Sequence, residues 1–217
     1  VRDYQKTHSL TLEEAARDVR YAFLTQVTRS VGGNTIVLGH SADDQAETVF
    51  MHILRGSGLR GIGGMREISQ RYSHDQKPLT LLRPLLEVNR AEIEAYCKDN
   101  GIHPRNDPSN TDIRYHRNAI RNKILPYLQQ FNPSFKKALL RLAKSSQQDM
   151  NFIDEELSGV WESLVKISGD TLTIRSDAKN LPTSLQHHLV HKVVSHLNGN
   201  QINLESIHVE ATISLLH

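Results

Sequence analysis

A short polar stretch after a hydrophobic run carries the residues best suited to chemistry. His40 follows the β-branched run at 35–38, and Asp43, Asp44 and Glu47 come soon after it. Ligands of open parallel sheets bind where strand carboxyl ends meet helix amino termini, so we expect His40 at the rim of a site. At helical spacing, Asp44 and Glu47 share one face and point away from the apolar side of the helix. Such a pair of carboxylates could hold a cation.

The same residues also have simpler interpretations. Asp43 and Asp44 at a helix start complement the helix dipole, and Glu47 would then be a solvated charge. A single histidine at the end of a turn is more often structural than catalytic. A metal site at His40, Asp43 and Asp44 is disfavoured, because no cysteine cluster or second histidine at helical spacing accompanies them. We expect no metal ligand, and spacing alone leaves the other two interpretations open.

A basic block lies further along the chain, although the formal net charge is only +2. It has no acidic residue and consists of Arg114, Arg117, Arg121, Lys123, Lys136, Lys137, Arg141 and Lys144. The first three are spaced three and four residues apart, so one helical face could present three guanidinium groups to phosphates. The block predicts polyanion binding. The alternative is a solvated face, which is disfavoured because a run of cations without counter-charge repels itself.

Composition excludes several classes of protein. Cys97 is the one cysteine in 217 residues, which excludes a disulfide scaffold, a Cys-x-x-Cys redox pair and a thiolate metal cluster. A reducing compartment, the cytoplasm, is expected. No apolar run reaches the roughly 18 residues of a membrane span, so we expect no membrane contact. The sequence begins at Val1 without an initiator Met or signal peptide, and we expect it to be a piece of a longer protein.

The elements that would position these residues alternate between strands and helices. Three capping signatures each precede a helical pattern: Thr11 with Glu14, Ser41 with Asp44, and Asn89 with Glu92. In the first helix the apolar residues at helical spacing, which we expect to pack, are Ala15, Ala16, Val19, Ala22, Phe23 and Val27. Hydrophobic runs at 35–38 and 79–82 precede the second and third of these helices. Strands that alternate with helices predict a parallel α/β sheet.

The pattern changes from residue 115 onward. Long helical stretches replace the alternation, with breaks expected at Pro126 and Pro133. The core residues expected here are Leu139, Leu140, Leu142, Phe152, Ile153 and Leu157. A lone strand-like patch at 172–174 precedes a helix over about 183–197. We therefore expect a second, mostly helical domain, with the boundary near 125–132.

Four sequence blocks together resemble the tRNA(Ile)-lysidine synthetase family of the PP-loop ATPase superfamily. They are Glu13-Glu14-Ala15-Ala16-Arg17-Asp18-Val19-Arg20-Tyr21; Gly39-His40-Ser41-Ala42-Asp43-Asp44-Gln45-Ala46-Glu47-Thr48 running into Arg55-Gly56-Ser57-Gly58-Leu59-Arg60-Gly61; Arg83-Pro84-Leu85-Leu86; and Asp107-Pro108-Ser109-Asn110 followed by Tyr115-His116-Arg117-Asn118-Ala119-Ile120-Arg121. The second block is the specific one, because helix propensity alone hardly produces it.

The resemblance implies a fold and a domain division. Residues 1–128 correspond to the C-terminal part of a PP-loop catalytic domain of the adenine nucleotide alpha hydrolase type. Residues 129–217 correspond to a helical tRNA-binding domain whose end is expected beyond the sequence. The family's Ser-Gly-Gly-x-Asp-Ser phosphate loop does not occur here, so we expect a chain that is truncated at its N-terminus and inactive alone.

The resemblance also implies an activity and its partners. The family joins free L-lysine to C2 of the wobble cytidine, position 34, of the isoleucine tRNA with anticodon CAU. ATP, with Mg²⁺, first adenylates the C2 oxygen, and the lysine ε-amine then displaces AMP. This implies a cytoplasmic ligase with ATP and Mg²⁺ as cofactors and lysine and tRNA as partners. A homodimer is compatible with it.

Site residues follow by position within the matching blocks. His40 and Asp44 would belong to the catalytic centre. Asp44 and Glu47 would hold the lysine ammonium, and Arg20 would position the substrate. The tRNA contacts expected from the basic block are Arg114, Arg117, Arg121, Lys136 and Lys137.

Two other functions stay open. A related PP-loop enzyme could insert sulfur into tRNA, but such enzymes generally work through cysteines and the solitary Cys97 argues against this. A non-catalytic RNA-binding module would use the basic helices and keep the turn at 40–47 only as structure. Dependence on lysine distinguishes the module from the ligase.

Overall fold

A computed structural model describes the chain except for residues 9, 73–76, 106, 108, 109, 111, 170, 199–205 and 217. The predicted Asp-Pro-Ser-Asn block at 107–110 therefore lies partly outside the described residues, as does the polar loop around it. Two compact units divide the chain, residues 1–144 and residues 145–217.

The first unit combines a small sheet with helices. Its elements in chain order are α1 (Arg2–His8), α2 (Leu12–Ser30), β1 (Thr35–Val37), α3 (Ala42–Leu54), α4 (Leu59–Ile62), β2 (Ile68–Tyr72), β3 (Pro78–Leu82), α5 (Arg90–Asp99), α6 (His116–Ala119), a π-helical turn (Ile120–Ile124), α7 (Leu125–Phe131) and the start of α8 (Phe135–Leu164). All three predicted capping boxes are present, at the starts of α2, α3 and α5.

The three strands form a mixed sheet in the order β1-β3-β2. β1 pairs parallel with β3, with Ile36 opposite Leu81, whereas β2 pairs antiparallel with β3. The two predicted strands are confirmed. The predicted parallel pairing of these two strands is confirmed as well. The antiparallel strand β2 was not predicted, because its residues alternate between exposed and half-buried and include no apolar run.

The face of α2 that packs on this sheet differs from the predicted one. Tyr21 is buried against Ile36, Leu79 and other sheet residues. Phe23, which was predicted to pack, is 61% exposed. The helix is therefore rotated so that a tyrosine rather than a phenylalanine meets the sheet.

A second cluster joins α3 to the helices that follow α5. Ala46, Val49 and Phe50 of α3 pack against a set of buried residues from the later helices: Ile120, Leu125, Leu139 and Ala143. The helical path from α6 to α7 continues through Pro126 rather than breaking there. Proline is tolerated in the first turn of α7, because the preceding π-helical turn already leaves the regular hydrogen-bond pattern.

The second unit is mostly helical with one hairpin. After α8 it contains β4 (Val165–Ser168), β5 (Thr171–Ile174), a 3₁₀ turn (Ser176–Asn180), α9 (Thr183–Asn198) and α10 (Ser206–Ser214). The predicted lone strand is β5, and it pairs antiparallel with β4. Leu157 and Leu189 lie at the centre of its core, whereas Phe152, another predicted core residue, is exposed. Nowhere in the described part of the chain is a helix long and apolar enough to cross a membrane.

Candidate active site

The polar residues after β1 converge at the start of α3. Ser41 is the N-cap, and its N–H and hydroxyl both donate to Asp44 Oδ2 at 2.9 Å. The reciprocal bond from the Asp44 N–H to the Ser41 hydroxyl measures 3.4 Å. This capping box fixes the orientation of Asp44, and one of its carboxylate oxygens stays available to other groups.

Glu47 is buried in a cage of guanidinium groups. Its residue surface is 1% exposed. Arg121 donates from Nε to Glu47 Oε1 at 2.5 Å and from Nη2 to Oε2 at 2.9 Å. Arg117 donates from Nε to Glu47 Oε2 at 2.8 Å. The expectation that Glu47 points away from the core is wrong, because α6 and the π-helical turn cover this face of α3.

Asp44 shares the same two arginines. Its Oδ1 accepts from Arg121 Nη2 at 3.0 Å and from Arg117 Nη2 at 3.2 Å. Burial alone would raise the pKa of Asp44, but the Ser41 hydrogen bonds and the two guanidinium groups hold it below its ordinary value. The pKa of Arg121 is raised, mainly through its hydrogen bond with Glu47. The Asp44 carboxylate and the Arg121 guanidinium are therefore both charged at neutral pH.

Asp43 connects three helices. Its Oδ1 accepts from Lys136 Nζ of α8 at 2.7 Å, and its Oδ2 accepts from the backbone N–H of Arg90, the first residue of α5, at 2.7 Å. Burial opposes ionisation, yet these two bonds lower the pKa of Asp43. Asp43 therefore fixes α3 relative to α5 and α8.

These contacts change the interpretation of the basic block. Arg117, Arg121 and Lys136 face carboxylates that are distant in sequence, and Arg114 pairs with Asp112 at 2.7 Å. The expectation of a run without counter-charge is therefore wrong for these four residues, and the exposed Lys144 also lies 3.8 Å from the exposed Glu87 carboxylate. Lys123, Lys137, Arg141 and Lys144 are exposed, and they form the part of the block that is open to a polyanion.

His40 lies half-buried beside this cluster. Its Nδ1 is buried and has no hydrogen-bond partner among the described residues. Burial lowers the pKa of His40, and the cations Arg83, Arg117 and Arg17 lower it further, although Asp44 opposes them. His40 is therefore neutral near pH 7, the form that can accept a hydrogen bond or a proton.

Arg20 lies in a different group of side chains. Its guanidinium carbon is 5.9 Å from the ring centroid of Tyr21, where Arg17 and Arg71 also lie. The sequence analysis missed Tyr21 and Arg71 as site residues. The available signal was the Arg-x-x-Arg-Tyr spacing in α2, since residues three apart share a helix face.

A cavity of about 500 Å³ opens beside the charged cluster. Its lining includes Asp44, Glu47 and Arg121 from the cluster, together with Cys97 and Arg105. The volume suits a small-molecule ligand. Within the described residues, no group of three or more His, Cys, Asp or Glu side chains is arranged to hold a metal ion.

Comparison with known proteins gives a family and a set of relatives. The model of the PP-loop domain family ATP_bind_3 matches residues 1–128. The chain is similar to the tRNA(Ile)-lysidine synthase of Dehalococcoides mccartyi, with 36% identity over 100% of this chain and 46% of the relative. It is also 34% identical to that of Caldanaerobacter subterraneus, over 97% of this chain and 44% of the relative. The chain thus spans about half the length of the curated relatives it matches.

One solved structure shows a weaker likeness. The U34-tRNA thiolase NcsA from Methanococcus maripaludis with its 4Fe-4S cluster aligns at a TM-score of 0.44 with 17% identity, over 60% of this chain and 42% of that chain. At this level of similarity, the likeness supports no conclusion about function.

Proposed function

The chain belongs to the PP-loop domain family, and from this premise we propose that it takes part in the ATP-dependent joining of lysine to tRNA(Ile). The predicted resemblance and the α/β PP-loop fold are confirmed. The observation that carries the proposal is the 36% identity with a tRNA(Ile)-lysidine synthase over the whole chain. The charged cluster beside the cavity supplies a suitable place for the reaction.

The proposed reaction has two steps. ATP transfers its AMP group to the C2 oxygen of the position-34 cytidine in the CAU anticodon, and pyrophosphate leaves. The ε-amine of lysine then forms a bond to C2, the C2–O bond to AMP breaks, and the amine loses a proton. The neutral imidazole of His40 and the ionised carboxylate of Asp44 are the groups that we assign to this centre.

Lysine recognition by Asp44 and Glu47 is the finer part of the proposal. Both carboxylates already accept hydrogen bonds from Arg117 and Arg121. An incoming ammonium group must therefore join the cluster at Asp44, which is partly exposed, or displace an arginine from Glu47. Exposure supports the first route, because Asp44 is open to solvent in part whereas Glu47 is buried and displacing an arginine from it would break its hydrogen bonds.

Arg20 belongs to the proposal as a residue that positions the substrate. Its side chain is held near Tyr21. It is therefore assigned to the part of the substrate that reaches the α2 side of the site, rather than to the ammonium group at Asp44.

The expected Mg²⁺ does not fit a resident site in the described residues. The carboxylates of Asp43, Asp44 and Glu47 are engaged by Lys136 and the two arginines. Oxygen ligands free of other cations are what magnesium requires. We therefore assign the ion to the phosphates of ATP and derive no step through it.

Binding of tRNA is assigned to the basic block. Lys137, Arg141 and Lys144 are exposed, so they can contact phosphates without breaking an ion pair with a buried carboxylate. Arg114, Arg117, Arg121 and Lys136 remain predicted contacts, but each would have to exchange or share a carboxylate.

The test is a ligation assay with the complete protein that contains this sequence. The protein is incubated with isoleucine tRNA carrying a CAU anticodon, ATP, Mg²⁺ and radiolabelled lysine. We expect ATP-dependent incorporation of label into the tRNA, and none into a matched tRNA with uridine at position 34. Tight tRNA binding that neither needs lysine nor incorporates it would instead favour the RNA-binding module.

A further inference from the structure

Four arginines from three parts of the chain converge around one buried tyrosine. Arg17 and Arg20 of α2 and Arg71 of β2 place their guanidinium carbons 5.6, 5.9 and 4.4 Å from the Tyr21 ring centroid. The Tyr21 residue is 3% exposed, and its hydroxyl interacts with the guanidinium of Arg83, just after β3. The tyrosine therefore fixes a concentrated group of positive charges.

This cluster has little negative charge to balance it. Among the side chains that the structure describes, its one ion pair joins Arg71 Nη2 to Asp18 Oδ1 at 3.6 Å, and both side chains are more than a third exposed. An exposed pair at that distance is weak. Four guanidinium groups against one loosely held carboxylate leave a surplus of positive charge.

Arg83 shows that the surplus extends into the interior. This residue is 6% exposed, and its Nη1 donates to the backbone oxygen of Arg66 at 2.7 Å and to Ser69 Oγ at 2.9 Å. Its Nε is buried without a hydrogen-bond partner in the described part of the chain. A buried cation that lacks a carboxylate partner is costly, and an anion nearby would offset that cost.

Arg83 places one side of the cluster at the carboxyl edge of the sheet, whereas Arg71 lies opposite Leu79, near the start of β3. β1 and β3 are parallel neighbours, and their carboxyl ends lead into His40 and Arg83. Arg17 and Arg83 both lower the pKa of His40, so their positive charges act on the imidazole at this edge. Ligands of parallel sheets bind at carboxyl ends.

We propose that Arg17, Arg20, Arg71 and Arg83 form a binding site for a phosphate group. Arg17, Arg20 and Arg71 are the contacting residues, because all three are at least partly exposed. Tyr21 and Arg83 are positioning residues. Guanidinium groups bind phosphate oxygens through paired hydrogen bonds, which a cluster of this kind can provide from two sides. The phosphate belongs either to ATP or to the tRNA backbone, and the site itself does not depend on lysine transfer.

The competing explanation is that the arginines only pack on the Tyr21 ring. Cation–π contacts stabilise a fold without any anion. The two explanations predict different effects on anion binding when the charge of Asp18 is removed. If the cluster binds phosphate, removing the Asp18 charge strengthens anion binding, whereas packing alone predicts no gain.

The experiment measures binding in the absence of lysine. Kd values for ATP and for isoleucine tRNA are determined separately for the complete protein and for its Arg17→Gln, Arg71→Gln and Asp18→Asn variants. Lys98→Gln, which removes an exposed cation from the last turn of α5, is the matched control. Circular dichroism checks that each variant is folded.

We expect each arginine variant to weaken binding of one ligand about tenfold, Asp18→Asn to strengthen it two- to fivefold, and Lys98→Gln to leave it unchanged. A change for ATP alone identifies a nucleotide phosphate. A change for tRNA alone, with the salt dependence reduced by about 0.7 to 0.9 per arginine, identifies the RNA backbone. Unchanged Kd values for both ligands in all three folded variants would overturn the proposal, even if lysine ligation is confirmed. If the arginine variants do not fold, Asp18→Asn decides alone, and no gain for either ligand overturns it.

Discussion

Arg121 donates two parallel hydrogen bonds to Glu47, from Nε to Oε1 at 2.5 Å and from Nη2 to Oε2 at 2.9 Å. The two residues are 74 positions apart in the chain, and the bidentate pair joins α3 to the π-helical turn that contains Arg121. A charge-assisted pair of this geometry is strong. Because Glu47 is almost fully buried, loss of Arg121 leaves its carboxylate with Arg117 alone, and loss of Glu47 leaves Asp44 as the shared carboxylate of both arginines.

We predict that Glu47→Gln lowers the free energy of unfolding by about 3 kcal/mol, because two partly buried arginines lose the carboxylate of Glu47 and are left to share that of Asp44. Arg121→Gln should cost a similar amount. Urea denaturation measures both. The control is Glu94→Gln, which breaks the exposed pair with Arg90 and should cost at most about 0.5 kcal/mol. Equal effects at Glu47 and Glu94 would contradict the assignment of Glu47 as a buried structural charge.

Substitution of Asp44 should change the KM for lysine more than it changes the stability of the fold. We predict that Asp44→Asn in the complete enzyme raises the KM for lysine about ten- to a hundredfold, because a charge-assisted contact is worth roughly 1.5–3 kcal/mol. Adenylation of tRNA should be affected less, since lysine enters at the second step. Single-turnover assays separate the two steps. Unchanged lysine KM with a small loss of stability would leave Asp44 as a cap of α3 only.

The parts of the fold that were predictable are those set by neighbours in sequence. The capping boxes at Thr11, Ser41 and Asn89 depend on residues three positions apart, and all were predicted. β2 was missed because its residues form a strand only through pairing with β3. The buried face of α2 was misassigned because its partners, Ile36 and other sheet residues, decide which face packs.

The site divides in the same way. The spacing of Asp44 and Glu47 and that of Arg117 and Arg121 each indicated one helix face, and the structure bears out both faces. The sequence left the first face open as a cation-binding carboxylate pair or a dipole-complementing, solvated one, and it predicted a polyanion-binding surface for the second. The sequence could not show that the two faces meet, because 70 or more positions separate their residues and only tertiary packing brings them together.

Two neighbouring lysines should respond differently to removal of charge. Lys136 is paired with Asp43, whereas Lys137 is exposed. We predict that Lys137→Gln reduces the salt dependence of tRNA binding by roughly one unit without changing the melting temperature. Lys136→Gln should lower the melting temperature, because Asp43 loses its partner. Salt titrations and thermal unfolding measure the two effects, and the reverse pattern would show that Lys136 is the freer cation.

Protonation of His40 should destabilise the fold. Its pKa is lowered from the ordinary value near 6.5 by burial and neighbouring cations. Between the folded and ordinary values, the unfolded chain binds more protons, so stability rises with pH and is lost as pH falls below about 6.5. His40→Asn should flatten this dependence. Asp44→Asn should lower the His40 midpoint further in an NMR titration, because Asp44 favours the protonated form. A His40 midpoint at or above 6.5 in the unmodified protein would contradict the lowered pKa. A midpoint that does not fall in Asp44→Asn would contradict the role of Asp44.

Substitution of Gly64 tests how tightly the glycine-rich segment, residues 56–64, is held to α3. Its φ is +63°, and a Cβ there would lie 2.8 Å from Gln45 Oε1. Gln45 is buried, donates to the backbone oxygens of Gly63 and Met65, and accepts from the Met65 N–H at 2.8 Å. A methyl group at Gly64 would therefore force this amide away from its partners.

The matched control for Gly64 is Gly56, whose φ of +68° is similar but where a Cβ would meet no atom within 4 Å. Gly56→Ala should cost only the left-handed backbone penalty, about 1–2 kcal/mol. Gly64→Ala should cost a further 1–3 kcal/mol, roughly, because buried hydrogen bonds of Gln45 are lost as well. Urea denaturation of both variants gives the difference. Equal destabilisation would mean that Gln45 can move aside without losing its bonds, and that it does not hold the glycine-rich segment against α3.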